Sequence, residues 1–248
     1  MIIQSPVEKR EPLVLARPDY PFWGFAEVLM MAAFFFVAVS AGLFVVGSAA
    51  KTFGLSMSSG MISVLGQMLG SAVMFGVLWM IFLVQDKPLL ESLAWVKYPF
   101  APGSLVLGGI ALAVAVVAMT VVLRVPNIET PMQKMLSDKP TRLAVGLFGI
   151  TVGPVVEELL FRGFLQPVLM RLTGVFPGLL ITSTLFGLMH AQQYAQQWQL
   201  VLGIVAVGFV LGTVRHISGS TKASSILHIA YNSVFFLAML AAGDQVPK

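Results

Sequence analysis

The sequence predicts an all-α polytopic membrane protein with about seven transmembrane helices, within a range of six to eight. Three observations carry this prediction. The 248 residues are 57% hydrophobic and 10% charged, with a mean hydropathy of +0.89. A soluble domain carries about 25% charged residues, so a soluble chain of this make-up would lack the polar surface to cover itself. The apolar residues are also gathered into runs of about 20, the length a helix needs to cross the hydrocarbon core. These features exclude an ordinary cytosolic enzyme, a disordered protein and a nucleic-acid-binding module. The net charge of +4 is scattered between the apolar runs and is not a nucleic-acid signal. There is no cysteine, which removes disulfide scaffolds, Cys-ligated metals and Cys nucleophiles.

In chain order, residues 1–20 are polar, contain Pro6, Pro12 and Pro18, and read as a flexible tail. Residues 21–142 hold the first three apolar runs, near 22–50, 60–84 and 103–123. Residues 143–243 hold four more: a long run near 143–172, interrupted by Pro154 and Pro167, then runs near 176–194, 198–217 and 222–243. Residues 244–248 are a short C-terminal tail. Trp95 and Tyr98 suit the headgroup level. The long 124–142 connection is expected to hold a short interfacial helix. GxxxG spacings at Gly66/Gly70, Gly149/Gly153, Gly174/Gly178 and Gly208/Gly212 let helices approach closely and are read as packing features. With seven spans, eight Lys/Arg fall on the side of the N-terminus and six on the other, which favours a cytoplasmic N-terminus in the cell inner membrane.

Among the 11 acids, only Glu157 and Glu158 lie well inside an apolar run. A charge at the bilayer centre costs about 2.5–3.5 kcal/mol on insertion scales, so an adjacent pair demands a reason. Arg162 follows Glu158 by one helical turn and can share its face. Glu157 lies about 100° around the helix, pointing elsewhere or into the same wet cavity. His190, His228 and Asn232 add to this set, the last two on one helical face. His216, beside Arg215 at a helix end, reads as interfacial. Counting from Arg171, residue 176 and Lys222, Glu158 is about 20 Å deep, His190 about 21 Å, His228 about 9 Å and Asn232 about 15 Å. A shared site opening on that inner, cytoplasmic face is the expectation.

A Glu beside a His can hold and deprotonate a water, and an Asn amide or His N–H can donate to a developing oxyanion. The same residues offer carboxylate oxygens and imidazole nitrogens to a divalent metal such as zinc. Both a metal-assisted and a metal-free glutamate mechanism fit these side chains. Other protease designs do not. There is no HExxH, no Asp in an apolar run and no Ser in a G-x-S-x-G setting. Ser183, Ser224, Ser225 and Ser233 read as packing residues.

Glu157-Glu158-Leu159-Leu160-Phe161-Arg162 resembles the EExxxR motif of the CPBP family of CAAX proteases and bacteriocin-processing enzymes. Phe186 to His190 resembles its FxxxH motif, and His228 to Asn232 its HxxxN motif, in the family's order. The resemblance covers about residues 143–243; the first three spans are similar only in being hydrophobic. It implies an intramembrane endopeptidase of the type II CAAX prenyl protease kind, acting on a peptide or protein substrate that reaches the site from the bilayer. It further implies Glu157 as base, His190 as its partner in activating water, Glu158 and Arg162 as orienting groups, and His228 and Asn232 as oxyanion donors. The family can carry an eighth helix, from which the seven runs here depart. A prenylated substrate is the family expectation for eukaryotic members; a bacteriocin leader or a signal peptide fits this chain equally. Two other readings use the same residues: a non-enzymatic membrane partner or regulator, and an ion-coupled transporter, against which stands the lack of an evident inverted repeat.

Overall fold

The computed structural model describes residues 19–126, 128–136 and 138–242. The tail expected at 1–20 therefore lies outside the described residues except for Asp19 and Tyr20, and the one expected at 244–248 lies outside them entirely. The described residues form helices and turns. In order these are α1 (Phe25–Thr52), α2 (Ser59–Val84), α3 (Leu89–Ser92), α4 (Pro102–Val122), α5 (Pro131–Met135), α6 (Lys139–Ile150) and α7 (Val152–Glu158). A π-helical segment, Leu159–Leu165, leads into α8 (Gln166–Thr173); α9 (Val175–Met189), a 3-10 turn (Ala191–Tyr194), α10 (Trp198–Ser218) and α11 (Thr221–Ala242) complete the chain.

Five of these helices, α1, α2, α4, α10 and α11, are long and apolar enough to cross a bilayer. In the run near 143–172, α6 and the continuous α7–α8 stretch meet at 42° and are long and apolar enough only when taken together, as a broken span or a re-entrant loop. Pro154 has no N–H for the carbonyl of Ile150, and the helix ladder breaks at Thr151, with φ −127° and ψ −90°. The seventh run is α9, whose 15 residues reach only about 22 Å against a hydrocarbon core of about 30 Å. The described residues thus hold five candidate spans, or six with the bent pair counted as one, against the seven expected from the apolar runs. The interfacial helix expected in the 124–142 connection is α5, started by a Thr130/Gln133 capping box. Asp138 caps α6 with its side chain, accepting from the Thr141 N–H at 2.9 Å. Hydrogen bonds from the Thr141 side chain and backbone hold the Asp138 carboxyl below the usual carboxylate range.

The chain alternates direction, so the bundle has two distinct ends. Residues 19–24, the α2–α4 connection and the α10–α11 turn gather at one, called here the N-terminal end. The Thr221 N–H donates to Ala94 O at 2.9 Å, and the Trp23 indole to Phe164 O at 2.9 Å. Trp23 stacks on Phe164 with ring centroids 5.2 Å apart, within a buried cluster that includes Met74, Leu78, Phe82 and Leu93. A second cluster joins Ala113, Val207, Leu211, Leu227 and Tyr231 across α4, α10 and α11. Outward-facing side chains such as Met30 (69% exposed) and Phe44 (74% exposed) would be costly in water and suit lipid.

Glycines set the closest helix contacts. A Cβ on Gly42 of α1 would fall 2.3 Å from the Gly66 carbonyl oxygen of α2, and one on Gly70 would fall 2.6 Å from Val39 Cα. Gly42→Val therefore forces α1 and α2 apart and should cost about 1–3 kcal/mol, read as a lower melting temperature of the detergent-solubilised protein. Gly76→Ala is the control: its added Cβ meets nothing within 4 Å, so stability should be unchanged or slightly raised.

Candidate active site

The break before α7 and the π-helical segment after it aim the two adjacent acids differently. Pro167 deprives the Gly163 carbonyl of its usual donor, and the ladder widens over Leu159–Leu165. Glu158 is fully buried, whereas the Glu157 side chain keeps 34% of its exposure.

Glu158 Oε1 lies 3.0 Å from Arg162 Nη1 and 3.1 Å from His228 Nδ1, while its Oε2 has no hydrogen-bond partner. Arg162 Nη2 donates to Gly208 O at 3.0 Å. One turn on, Gln166 Nε2 donates to Gly212 O at 3.0 Å. The Gly208/Gly212 pair thus does more than pack: without side chains it brings two carbonyls of α10 within reach of the π-helical segment and α8. A Cβ on Gly212 would fall 2.8 Å from Gln166 Oε1. The Arg162 guanidinium also lies over the Phe186 ring, 4.4 Å from its centroid.

Phe186 links the three motifs. It stacks against Arg162, and its ring centroid is 4.6 Å from that of His190 and 5.9 Å from that of His228. Its carbonyl is 2.7 Å from His190 Nδ1. A carbonyl only accepts, so Nδ1 carries the hydrogen and the neutral ring presents a lone pair at Nε2. The same reasoning applies to His228, whose Nδ1 meets the Glu158 carboxylate. Both Nε2 atoms face Glu157: His190 at 3.9 Å from Oε1, His228 at 3.8 Å from Oε2. These separations are too long for direct hydrogen bonds and match the span that one bridging water fills. Asn232 Nδ2 donates one hydrogen to Gly149 O at 2.7 Å, fixing α11 to the end of α6; its second amide hydrogen and its Oδ1 remain. The structure brings all six sequence-singled residues together. His216 stands apart, exposed in the last turn of α10.

Glu157, His190, His228 and Asn232 line a cavity of about 670 Å³. Its wall runs from Val116 through Met132, Gln133 and Arg142 to Gln193, Leu200 and Met239. These residues lie toward the end of the bundle opposite the N-terminal end. The lining residues thus come mostly from the end opposite Tyr20–Gly24, whereas the expectation is an opening on the face of the N-terminus. Depth counted along a helix measures distance from one end and does not say which end is open. Here α9 stops short at His190 and the α6–α7 bend splays α6 away, and that is where the space lies. Tyr194 and Tyr231 also line the cavity and were not singled out in the sequence, where isolated tyrosines read as interfacial. Burial, and then the nearby Glu157 charge, raise the Tyr194 phenol, which keeps it a neutral donor.

The donor set was tested against a metal. Tetrahedral zinc ligands lie about 2.0–2.2 Å from the ion, which sets neighbouring donors about 3.3 Å apart. The Glu157–histidine separations of 3.8–3.9 Å are wider. Among the described residues no group of three or more His, Cys, Asp or Glu is arranged to hold a metal ion.

Removing one partner of a buried pair strands the other, at about 3–5 kcal/mol. Arg162→Met should therefore destabilise the detergent-solubilised protein by that amount. Adding Glu158→Gln should recover part of the loss, so a double-mutant cycle on melting temperatures will show strong coupling.

The family model for type II CAAX prenyl endopeptidases of the Rce1-like kind matches residues 139–234, a stretch that contains all six residues of the cluster. No curated protein and no solved structure matches the chain. The family is one of intramembrane proteases, in agreement with the apolar spans of this integral membrane protein. Residues 139–234 are thus similar to the Rce1-like type II CAAX prenyl endopeptidases.

Proposed function

We propose that this protein is an intramembrane endopeptidase that hydrolyses a peptide bond by direct attack of a water held between Glu157 and His190. One observation carries the proposal: a carboxylate about one-third exposed in a large cavity is faced by two imidazole Nε2 atoms at 3.8 and 3.9 Å, while the adjacent carboxylate is buried on an arginine. The two acids therefore take different parts. Glu157, open to the cavity, is the base. Glu158, tied to Arg162, orients His228 by accepting from its Nδ1.

In the reaction the water oxygen forms a bond to the scissile carbonyl carbon, and its proton passes to Glu157. Charge develops on the carbonyl oxygen, and the free amide hydrogen of Asn232 is a neutral donor to it. His228 can donate from Nε2 only when both of its ring nitrogens carry hydrogen. As the C–N bond breaks, Glu157 returns its proton to the leaving amine, leaving a carboxylate and a new N-terminus. His190 holds the water through Nε2 while its Nδ1–H stays on the Phe186 carbonyl.

The cavity is within the size range of sites that enclose small ligands, so it accommodates a few residues of an extended peptide rather than a folded domain. The substrate is a membrane-associated peptide or protein segment, lipid-modified or not, and the enzyme works in the cell inner membrane with its mouth and its N-terminal end on opposite sides.

The test uses protein reconstituted in liposomes and a peptide panel containing prenylated CAAX peptides and unmodified leader peptides. Glu157→Gln should lower kcat by about 10²–10⁴-fold or more on any peptide the parent cleaves, with the melting temperature held. His190→Ala should act likewise. Retained cleavage by either folded variant would reject the assignment.

A further inference from the structure

A second pocket, of about 230 Å³, opens at the N-terminal end, away from the proposed catalytic cavity. Its polar walls are Tyr20, Arg162, Gln166, Arg171, Arg215 and His216. Three guanidinium groups therefore converge, and no Asp or Glu lines the pocket among the described residues. Arg162 has its carboxylate, Glu158, to pair with. Arg171 is exposed, and its two Nη atoms donate to the backbone oxygens of Pro21 and Trp23. Neither of those partners carries a charge.

Arg215 is the decisive residue. It is 92% buried, at 8% exposure. Its Nη2 reaches only the Tyr20 hydroxyl, at a long 3.4 Å, and its Nε has no hydrogen-bond partner. The Arg162 Nε and the Gln166 Oε1 are likewise buried without partners. A buried guanidinium without a carboxylate is costly, and the remedy is an anion that accepts from it. Docking of Tyr20 against α10 does not supply one, because its hydroxyl is neutral, and the one carboxylate whose charge reaches Arg215, Glu158, is already paired with Arg162.

We propose that this pocket binds a phosphate-type oxyanion. The planar, multi-donor guanidinium suits phosphate oxygens, and two uncompensated arginines balance one phosphate group. The unpartnered Gln166 Oε1 would accept from a hydroxyl on the phosphate or on a headgroup attached to it. The pocket is lined by Tyr20, Pro21 and the C-terminal turn of α10, at one end of a candidate spanning helix, so the phosphate can come from a phospholipid or from solution.

The test uses the purified full chain in non-ionic detergent without phosphate buffer, and reads the melting temperature. Sodium phosphate is titrated against sodium chloride at matched ionic strength; a short-chain phosphatidylglycerol is titrated against a diacylglycerol that lacks the phosphate. Stabilisation by the phosphate-bearing probe above its control is expected. A shift with the lipid alone assigns the headgroup as the source, and a shift with both assigns the phosphate group itself. Arg215→Gln should weaken the apparent Kd about tenfold or more. If that variant does not fold, His216→Gln at the exposed rim serves instead, with a smaller weakening expected. Absence of any shift above the controls in the parent protein overturns the proposal, as does an undiminished shift in a folded Arg215→Gln protein. The readout does not depend on peptidase activity, so it stands or falls apart from the catalytic reading.

Discussion

A guanidinium with no exposure inside an apolar bundle is the constraint around which the C-terminal half is arranged. Arg162 has to be met from every side, and the chain meets it with a carboxylate from its own helix, a carbonyl from α10 and the face of Phe186 from α9. Each partner is then fixed in turn. Glu158, held by Arg162, sets the orientation of His228. Phe186, held against the guanidinium, carries the carbonyl that sets the tautomer of His190. Gly208 offers its carbonyl where α10 packs close to α9: a Cβ there would fall 3.2 Å from Phe186 and Ser183. The charged pair at the centre gives the three helices one register, a use of buried ionic groups that is better attested than any gain in stability.

Glu157 is what this arrangement leaves free. Two neighbouring acids in an apolar segment would ordinarily repel, and one would take up a proton. Committing one of them wholly to an arginine leaves the other to face water in the cavity. The break at Thr151, the widened π-helical segment and the short α9 all loosen regular helix geometry close to the site, and each has a local cause, in Pro154, Pro167 and the early stop at His190.

Much of this was legible in the sequence. Long apolar runs identify themselves by composition, and boundaries such as 60–84 against Ser59–Val84 differ by one residue because the caps and prolines stand at the ends. The cluster was legible because charge is so scarce in this chain that Glu157, Glu158 and Arg162 stand out. The direction of the opening was not, since rise per residue measures depth symmetrically and the α6–α7 bend follows from one proline among 14. The role of Phe186 was hidden for another reason: one phenylalanine among 18 carries no mark that it lies beneath a guanidinium. The buried state of Arg215 was hidden as well, because an arginine beside a histidine at a helix end reads as a solvated pair.

The central claim is that water attacks the scissile carbonyl directly, with no covalent intermediate on the protein. It is tested most directly by cleaving a substrate peptide in the presence of hydroxylamine and identifying the new C-terminus by mass spectrometry. Direct attack predicts the free carboxylate alone at every hydroxylamine concentration. A hydroxamate product that increases with hydroxylamine would reveal an acyl-enzyme and contradict the assignment of Glu157 as a base acting on water.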